Sequence, residues 1–387
     1  MTKRDDLSMD ALLAAAAAEA KLDDFGDPSF REGLGVLLET FESAGLKPGG
    51  RKRTRRRLHQ LLVTRLRAEE AWKQHPEIRE RPIRRPLYLT GLPRTGTSTL
   101  FNLLACDPVA RPLLLWEGVC PDPLVGWPEG EPDPRAELIQ AGLDMDRERN
   151  PDFDKIHYAA AMVPEECVLL LAHTFKDVQM GIEPLMQPYG AWFEKQDLRE
   201  SYRYYADLLR MVDWQRPGER WLLKSPAHLW ALDVLVEMFP DACIVQTHRD
   251  PTEVLASYCS MMHALMGILE SVDPVTLGPI VLEYLARSLE AGMEQRAAGD
   301  AKHFLDLDYR EFVSSPLPSI ERVYDYFGLA LTDDAARMMR DYIASNPQGK
   351  HGSHRYSLAQ YGLSAEAVRD RLGFYIEHFD LPTVGVA

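Results

Sequence analysis

The chain has 387 residues, of which 45% are hydrophobic and 27% charged, and this balance excludes an intrinsically disordered protein. Its formal net charge of −15 argues against a nucleic-acid-binding protein, because affinity for a phosphate backbone comes from a basic surface. The five cysteines are scattered without a CxxC pair, which disfavours a disulfide framework or a zinc site. Because we find neither a signal peptide nor an apolar membrane-spanning stretch, we expect a cytoplasmic protein, and homo-oligomerisation stays open.

The first 80 residues predict a helical extension. Apolar residues recur at helical spacing in 9–20, 30–44 and 51–72, and breaks at Asp27-Pro28 and Pro48-Gly49-Gly50 separate these segments. The basic run 51–57 is interpreted mainly as a solvated helix face, with an anion-binding face as the alternative.

From residue 81 to 387, short β-prone apolar runs alternate with helical segments. The runs are 87–90, 221–224, 243–247 and 302–307, with helices predicted through Leu100, Leu103 and Leu104 and at about 227–238 and 252–264. This alternation predicts an α/β domain with a central parallel sheet covered by helices on both faces. Between the first two strand units lies an aromatic-rich helical insertion at about 138–217, which either builds a ligand pocket or packs helices onto the core.

A polar turn joins the first predicted strand to its helix. The segment from Gly91 to Ser98 reads GLPRTGTS, and at such a junction backbone N–H groups and the positive helix end bind phosphate-like anions. A nucleoside-triphosphate Walker motif would have Lys at the position of Thr97, whereas here the cation is Arg94, earlier in the loop. ATP-dependent phosphoryl transfer is therefore disfavoured. The alternative is that the two glycines only shape a tight turn.

A second anion-binding pattern follows the 243–247 strand. Arg249 stands at the end of this strand before Asp250-Pro251, and Ser257 comes eight positions later in the following helix. Bidentate guanidinium chemistry suits phosphate, so this pair predicts a second phosphate contact.

Together these segments resemble the sulfotransferases that use 3′-phosphoadenosine-5′-phosphosulfate (PAPS), especially the bacterial branch and the tyrosylprotein sulfotransferases. Pro93 to Ser98 is similar to the family's phosphosulfate loop, with the Arg that these two branches use, and Arg249 with Ser257 is similar to its 3′-phosphate motif. The resemblance covers about Arg85 to Leu363. It implies a P-loop-type three-layer fold, PAPS as the donor and 3′,5′-adenosine bisphosphate as the product.

The resemblance also implies a set of donor-binding residues. Tyr309 would contact adenine, with a core aromatic as the alternative, and the 349–352 segment is a looser match to the family's Gly/Lys-rich loop. The full set is Arg94, Thr95, Gly96, Thr97, Ser98, Thr99, Arg249, Ser257, Tyr309, Lys350 and Gly352.

Sulfuryl transfer by in-line displacement needs a base for the acceptor hydroxyl and cations at the transferring group. The resemblance implies Glu117 as the base and Lys224 with Arg94 as the catalytic cations. An ordinary ion pair is the alternative role for Glu117. The other candidates for the base are His228, Glu165 and Glu166. No metal is expected, because fixed cations would take the place that Mg²⁺ has in ATP enzymes and no side-chain cluster has ligand spacing.

The acceptor that these features favour is an apolar small molecule with one hydroxyl, such as a phenol, a sterol or a lipid. Two rival functions remain. One is a nucleotide or small-molecule kinase of the same architecture, and the other is a non-catalytic PAPS-binding protein, in which Glu117 and Lys224 would be expendable.

Overall fold

The computed structural model describes residues 7–124, 131, 133–149, 159–177, 182, 185–346 and 356–382. Their contacts separate two units. The helical unit draws on Met1–Pro82, Leu114–Pro217 and Ala264–Val272, and the sheet unit draws on Ile83–Leu113, Gly218–His263 and Asp273–Ala387. The predicted extension 1–80 and the predicted insertion 138–217 therefore both fall in the helical unit. Among the described residues, no helix combines the length and the apolar character that crossing a membrane requires.

Helices dominate the first half of the chain, and strands and helices alternate in the second. The first half contains α1 (Met9–Ala20), α2 (Phe30–Ala44), α3 (Pro48–Gln74), α4 (Glu77–Glu80), β1 (Leu87–Gly91), α5 (Thr97–Leu104), β2 (Ala110–Pro112), α6 (Leu115–Val119), α7 (Pro134–Arg149), α8 (Val168–Leu171), α9 (Tyr189–Phe193) and α10 (Arg199–Gln215). The second half contains β3 (Arg220–Lys224), α11 (Leu232–Met238), β4 (Cys243–His248), α12 (Pro251–Leu265), α13 (Pro274–Ala298), β5 (Phe304–Asp308), α14 (Tyr309–Ser314), α15 (Pro316–Tyr326), α16 (Asp333–Ser345) and α17 (Ala365–His378).

The sheet unit is built on five parallel strands in the order β2-β3-β1-β4-β5. The chain passes from β1 to the edge strand β2, returns to β3 beside β1, and then crosses to β4 and β5 on the other side. Leu89 on β1 therefore pairs in register with Lys224 on β3, and Gly91 pairs with Thr247 on β4. In parallel sheets, ligands bind beyond the carboxyl ends of the strands where the order reverses. The parallel sheet with its flanking helices confirms the predicted fold class.

Strand β1 is apolar along its length because helices cover it on both sides. Leu87 and Leu89 point into a core that includes Leu100 and Leu104 of α5. Tyr88, which alternates with them, is fully buried and packs on other aromatic rings. This two-sided burial holds the carboxyl end of β1, and the loop that follows it, in a fixed place.

The helix predicted over 227–238 is wrong in one respect, because the structure divides it. Residues Pro226–Trp230 form a 3₁₀ helix, and α11 starts only after Ala231, whose φ of −151° is extended. The Gln295 side chain accepts from the Leu232 N–H at 2.7 Å and donates to the Trp230 carbonyl at 3.1 Å. A side chain far along the chain thus satisfies the backbone groups that the break exposes.

Two further local predictions need correction. Pro48-Gly49-Gly50, predicted as a separator, is instead the first turn of α3, where Pro48 occupies a position that needs no N–H donor. The three-residue strand β2 was not predicted, because so short a run carries too few residues for an alternating pattern.

Candidate functional site

In the sheet unit, β1 ends in a loop that leads directly into α5. Gly91 has φ +130°, and a Cβ at this position would lie 2.4 Å from the Thr247 carbonyl oxygen of β4. Gly96 precedes α5 with φ +86° and has no side chain to accept from the N–H groups of the first helical turn. These N–H groups are therefore available to an anion, which the positive end of the helix also attracts.

Arg94 connects this loop to the end of strand β4. Its Nε donates to the Ser257 hydroxyl on α12 at 3.1 Å, and Arg249 Nη1 donates to the Arg94 carbonyl oxygen at 3.2 Å. Arg94 also holds φ at +69°, an uncommon value for a residue with a side chain. The structure thus brings together the two cationic residues that the sequence assigned to opposite ends of one nucleotide.

Two contacts hold the Arg249 side chain besides its bond to the loop. Its Nε donates to Glu253 Oε2 at 2.8 Å, and its guanidinium lies 4.1 Å from the centre of the Tyr309 ring. The other oxygen of Glu253 accepts from Arg310 at 3.2 Å. Sequence reasoning missed Glu253, although its spacing of four residues from Arg249 is a signal that could have found it. Arg249 is therefore held in place before any anion binds.

Tyr309 links the loop to the carboxyl end of β5. It begins α14, where the Asp308 side chain accepts from the N–H groups of Arg310 and Glu311 at 2.8 and 3.0 Å. A Cβ on Gly96 would lie 2.8 Å from Tyr309 Cδ2, so the ring lies directly against the loop. Tyr309 is half-buried, and part of its ring remains open to solvent. Its position beside Arg249 and the loop is compatible with contact to a nucleotide base.

The loop hydroxyls fall into two groups. Thr95 is buried, and its Oγ1 donates to the Leu92 carbonyl at 2.6 Å and lies 2.6 Å from Thr247 Oγ1, so it holds the loop onto β4. Thr97 is also buried, whereas Ser98 and Thr99 are exposed on the first turn of α5. The exposed hydroxyls are the ones free to reach a ligand.

Lys224, the last residue of β3, reaches the same helical turn. Its side chain is buried, and its Nζ donates to the Ser98 hydroxyl at 3.2 Å and lies 5.6 Å from the Phe101 ring centre. The loop, Lys224 and Arg249 thus stand at the carboxyl ends of three adjacent strands of one sheet. Such a group of cations with a helix amino terminus suits a ligand with several negative charges.

Glu117 lies in the helical unit, in the short helix α6. It is buried, accepts from the Leu114 N–H at 2.9 Å, and forms an ion pair with Arg216 at 2.7 Å. A cavity of ≈ 10 Å³ beside it, with room for about one water molecule, is lined by Trp116, Cys120 and Val212 among others. The carboxylate thus caps its own helix and pairs with a cation, and its role as a base stays a prediction.

The alternative bases differ in their surroundings. His228 is completely buried against Tyr88, and burial lowers its pKa to about 3. A buried ring that is such a weak base is poorly suited to accept a proton from a bound acceptor. Glu165 is buried with one oxygen accepting from the Glu166 N–H at 2.9 Å, and Glu166 is half-buried.

Two predicted donor residues, Lys350 and Gly352, lie outside the described residues, as does Tyr158 of the predicted insertion. Four other aromatic residues of the insertion are buried and pack on neighbouring rings: Tyr189, Phe193, Tyr202 and Tyr205. These four serve the core of the helical unit.

Comparisons with known proteins agree on one family. The model described as "Sulfotransferase family" matches residues 86–333. The omega-hydroxy-beta-dihydromenaquinone-9 sulfotransferase Stf3 of Mycobacterium tuberculosis, like that of Mycobacterium bovis, is 26% identical over 307 residues, or 75% of this chain and 75% of the relative.

Two solved structures are similar over nearly the whole chain. Sulfotransferase STF1 from Mycobacterium tuberculosis has 36% identity and a TM-score of 0.84, covering 96% of this chain and 100% of that chain. Sulfotransferase STF9 from Mycobacterium avium has 26% identity and a TM-score of 0.87, covering 99% of each. Because the family model matches residues 86–333, which include the loop after β1 as well as Arg94 and Arg249, this chain belongs to the sulfotransferase family.

Proposed function

We propose that this sulfotransferase takes its sulfuryl group from PAPS and transfers it to a hydroxyl of an apolar, lipid-like acceptor. The observation that supports the donor best is the contact between the two predicted phosphate-binding elements. Arg94 bonds to Ser257, and Arg249 bonds to the Arg94 backbone, next to the free amino terminus of α5. A nucleotide with phosphate groups on both its 3′ and 5′ sides needs such neighbouring cationic groups.

The donor-binding roles follow from where each residue lies. The first-turn N–H groups of α5, with Arg94 and the hydroxyls of Ser98 and Thr99, would hold the phosphosulfate. Arg249 and Ser257 would hold the 3′-phosphate, because a guanidinium and a hydroxyl suit its oxygens. Tyr309 would contact adenine. The buried Thr95 and Thr97, with Gly96, would shape the loop, and Lys350 and Gly352 stay proposed donor ligands on the strength of the sequence.

PAPS supplies an activated sulfuryl group and leaves as 3′,5′-adenosine bisphosphate. Lys224 and Arg94 would stabilise the negative charge that develops on the leaving oxygen, since both cations are fixed next to the amino terminus of α5. Glu117 would accept the proton of the acceptor hydroxyl. Its carboxylate pairs with Arg216, whose side chain is 45% exposed.

The acceptor class is supported by the relative Stf3, whose printed name describes a sulfotransferase for an omega-hydroxylated dihydromenaquinone. We therefore propose an apolar molecule that carries one terminal hydroxyl. A cytoplasmic location completes the proposal, and the five cysteines, none of which is in a disulfide, support a reducing compartment.

Donor use is tested by binding and by transfer. In a thermal-shift assay, 3′,5′-adenosine bisphosphate should raise the melting temperature while ATP should not. With sulfur-labelled PAPS, the purified protein should then transfer label to a long-chain primary alcohol or a hydroxylated prenyl quinone, and not to the matching alkane or unhydroxylated quinone. Equal stabilisation by ATP would overturn the donor assignment, and label transfer restricted to water-soluble phenols would overturn the acceptor class.

A further inference from the structure

Tyr375, near the end of α17, contacts the residue that directly precedes Arg249. The Tyr375 ring is fully buried, and its hydroxyl lies 2.9 Å from Nδ1 of His248, the last residue of β4. A residue more than a hundred positions further along the chain thus reaches the junction from which the Arg249 side chain extends.

The direction of each hydrogen bond in this chain of contacts can be assigned. Burial raises the pKa of Asp306, but bonds from His248 and Arg296 outweigh it and hold that pKa well below its ordinary value, so Asp306 is an acceptor. His248 must therefore donate from Nε2 to Asp306, at 2.8 Å, and its Nδ1 must accept. The Tyr375 hydroxyl then donates to His248 Nδ1.

Neighbouring groups keep these side chains in one arrangement. Arg296 donates to both oxygens of Asp306 at 2.7 and 2.8 Å, so the acceptor at the far end of the chain is fixed. The Phe379 ring stacks on His248 at 3.9 Å and meets Tyr375 edge-on at 5.2 Å. The Tyr375 hydroxyl therefore has little freedom to leave His248, which directly precedes Arg249.

We propose that Tyr375 is a positioning residue for donor binding, which fixes the backbone of Arg249 so that its guanidinium meets the 3′-phosphate. The inference rests on the proposed function, in which Arg249 binds that phosphate. The Asp250 side chain accepts from the Thr252 N–H at 2.9 Å and fixes the following turn. Arg249 thus stands between two fixed points, the His248 side chain before it and the Asp250 cap after it.

The informative change is Tyr375→Phe, which keeps the ring and removes only the hydroxyl. His248 Nδ1 then loses its donor, so the junction after β4 is free to shift. Tyr324→Phe is the matched control, because Tyr324 is also a buried tyrosine of the sheet unit, and its hydroxyl bonds to Asp107 at 2.6 Å. Both variants lose a buried hydroxyl, and only the Tyr375 hydroxyl bonds to the residue before Arg249.

The measurement is the affinity of each protein for 3′,5′-adenosine bisphosphate and for adenosine 5′-monophosphate, by calorimetry at low temperature. The ratio of the two affinities reports the contribution of the 3′-phosphate alone. We expect Tyr375→Phe to reduce this ratio about three- to tenfold, in proportion to one lost hydrogen bond, with 5′-monophosphate affinity unchanged. In turnover assays KM for PAPS should rise by the same factor while kcat changes less than twofold. Tyr324→Phe should leave the ratio at its wild-type value.

The outcomes separate this inference from the proposed function. A wild-type protein that does not prefer the bisphosphate would overturn the proposed donor itself. If Tyr375→Phe keeps the full wild-type preference for the bisphosphate, the role of Tyr375 is overturned and the proposed donor is not. The same holds if Tyr324→Phe reduces this preference as much as Tyr375→Phe does. If Tyr375→Phe does not fold, His248→Phe replaces it, since it keeps the ring stack, leaves Asp306 paired with Arg296, and removes the acceptor that orients the Tyr375 hydroxyl. That variant should lower the same ratio, and an unchanged ratio would refute the inference.

Discussion

The contact between Gly96 and Tyr309 leads to a prediction about Gly96→Ala. The new Cβ would lie 2.8 Å from Tyr309 Cδ2 and 3.0 Å from Cε2, on a backbone with φ +86°. Gly328 is the matched control in the same unit, because it has φ +57° and nothing within 4 Å of the position of a Cβ. Comparing the two alanine variants therefore separates the cost of the left-handed backbone from the cost of pressing on the Tyr309 ring.

The magnitudes follow from these distances. A non-glycine residue in the left-handed region costs about 1–2 kcal/mol, and this applies to both variants. Carbon atoms prefer to be about 3.5–4.0 Å apart, so only Gly96→Ala adds an overpacking cost of about 1–3 kcal/mol. The free energy of unfolding should therefore fall by about 1–2 kcal/mol in Gly328→Ala and by about 2–5 kcal/mol in Gly96→Ala. Displacing the Tyr309 ring from Arg249 should also weaken binding of 3′,5′-adenosine bisphosphate about tenfold, and in Gly96→Ala only.

Urea unfolding measures the stabilities, and calorimetry measures the bisphosphate affinity. The double variant Gly96→Ala/Tyr309→Ala completes the test, because without the ring the alanine at 96 should cost no more than the alanine at 328. Equal losses of stability in Gly96→Ala and Gly328→Ala, with unchanged affinity in both, would refute the reasoning. The contact with Tyr309 would then contribute nothing to the shape of the loop.

Three further predictions concern ionisable groups. Lys224→Ala should lower kcat by orders of magnitude with only a modest loss of donor affinity. The control is Lys302→Ala, at an exposed lysine paired with Asp300 at 2.7 Å, which should change neither kcat nor donor affinity. Comparable losses of kcat and donor affinity in Lys224→Ala would reassign Lys224 to donor binding. Glu117→Gln should lower kcat at least about 100-fold without changing bisphosphate affinity, because an amide cannot take the acceptor proton. Turnover within a few-fold of wild type would leave Glu117 as a helix cap and ion-pair partner. Burial lowers the pKa of His228 to about 3 against an ordinary 6.5, so below pH 6.5 the unfolded chain binds its proton first and stability falls with decreasing pH. His228 alone should change the free energy of unfolding by about 1.4 kcal/mol per pH unit between about pH 6 and 4. His228→Gln should remove this part of the pH dependence, as measured by urea unfolding at several pH values. An unaltered pH dependence in the variant would contradict the prediction.

The sequence by itself determined the features that depend on contiguous residues. The run 87–90 predicted β1 almost to the residue, because a central parallel strand is buried on both faces and therefore has a short, mainly apolar sequence. The turn from Gly91 to Ser98 was also readable, since an anion-binding loop needs its glycines and its cation within one short segment. Arg249 and Ser257 were recognisable for the same reason, as one strand end and the helix that follows it.

Only the tertiary structure decided which distant residues meet. Glu117 and Arg216 are 99 positions apart, Gln295 closes the break before α11 from 63 positions away, and the Tyr375 hydroxyl bonds to His248 across 127 positions. Local propensity does not encode such pairs, because each bond depends on how separate helices and strands pack around a shared core. The residues predicted to bind the donor therefore come from local segments, while their positions depend on contacts that exist only in the folded chain.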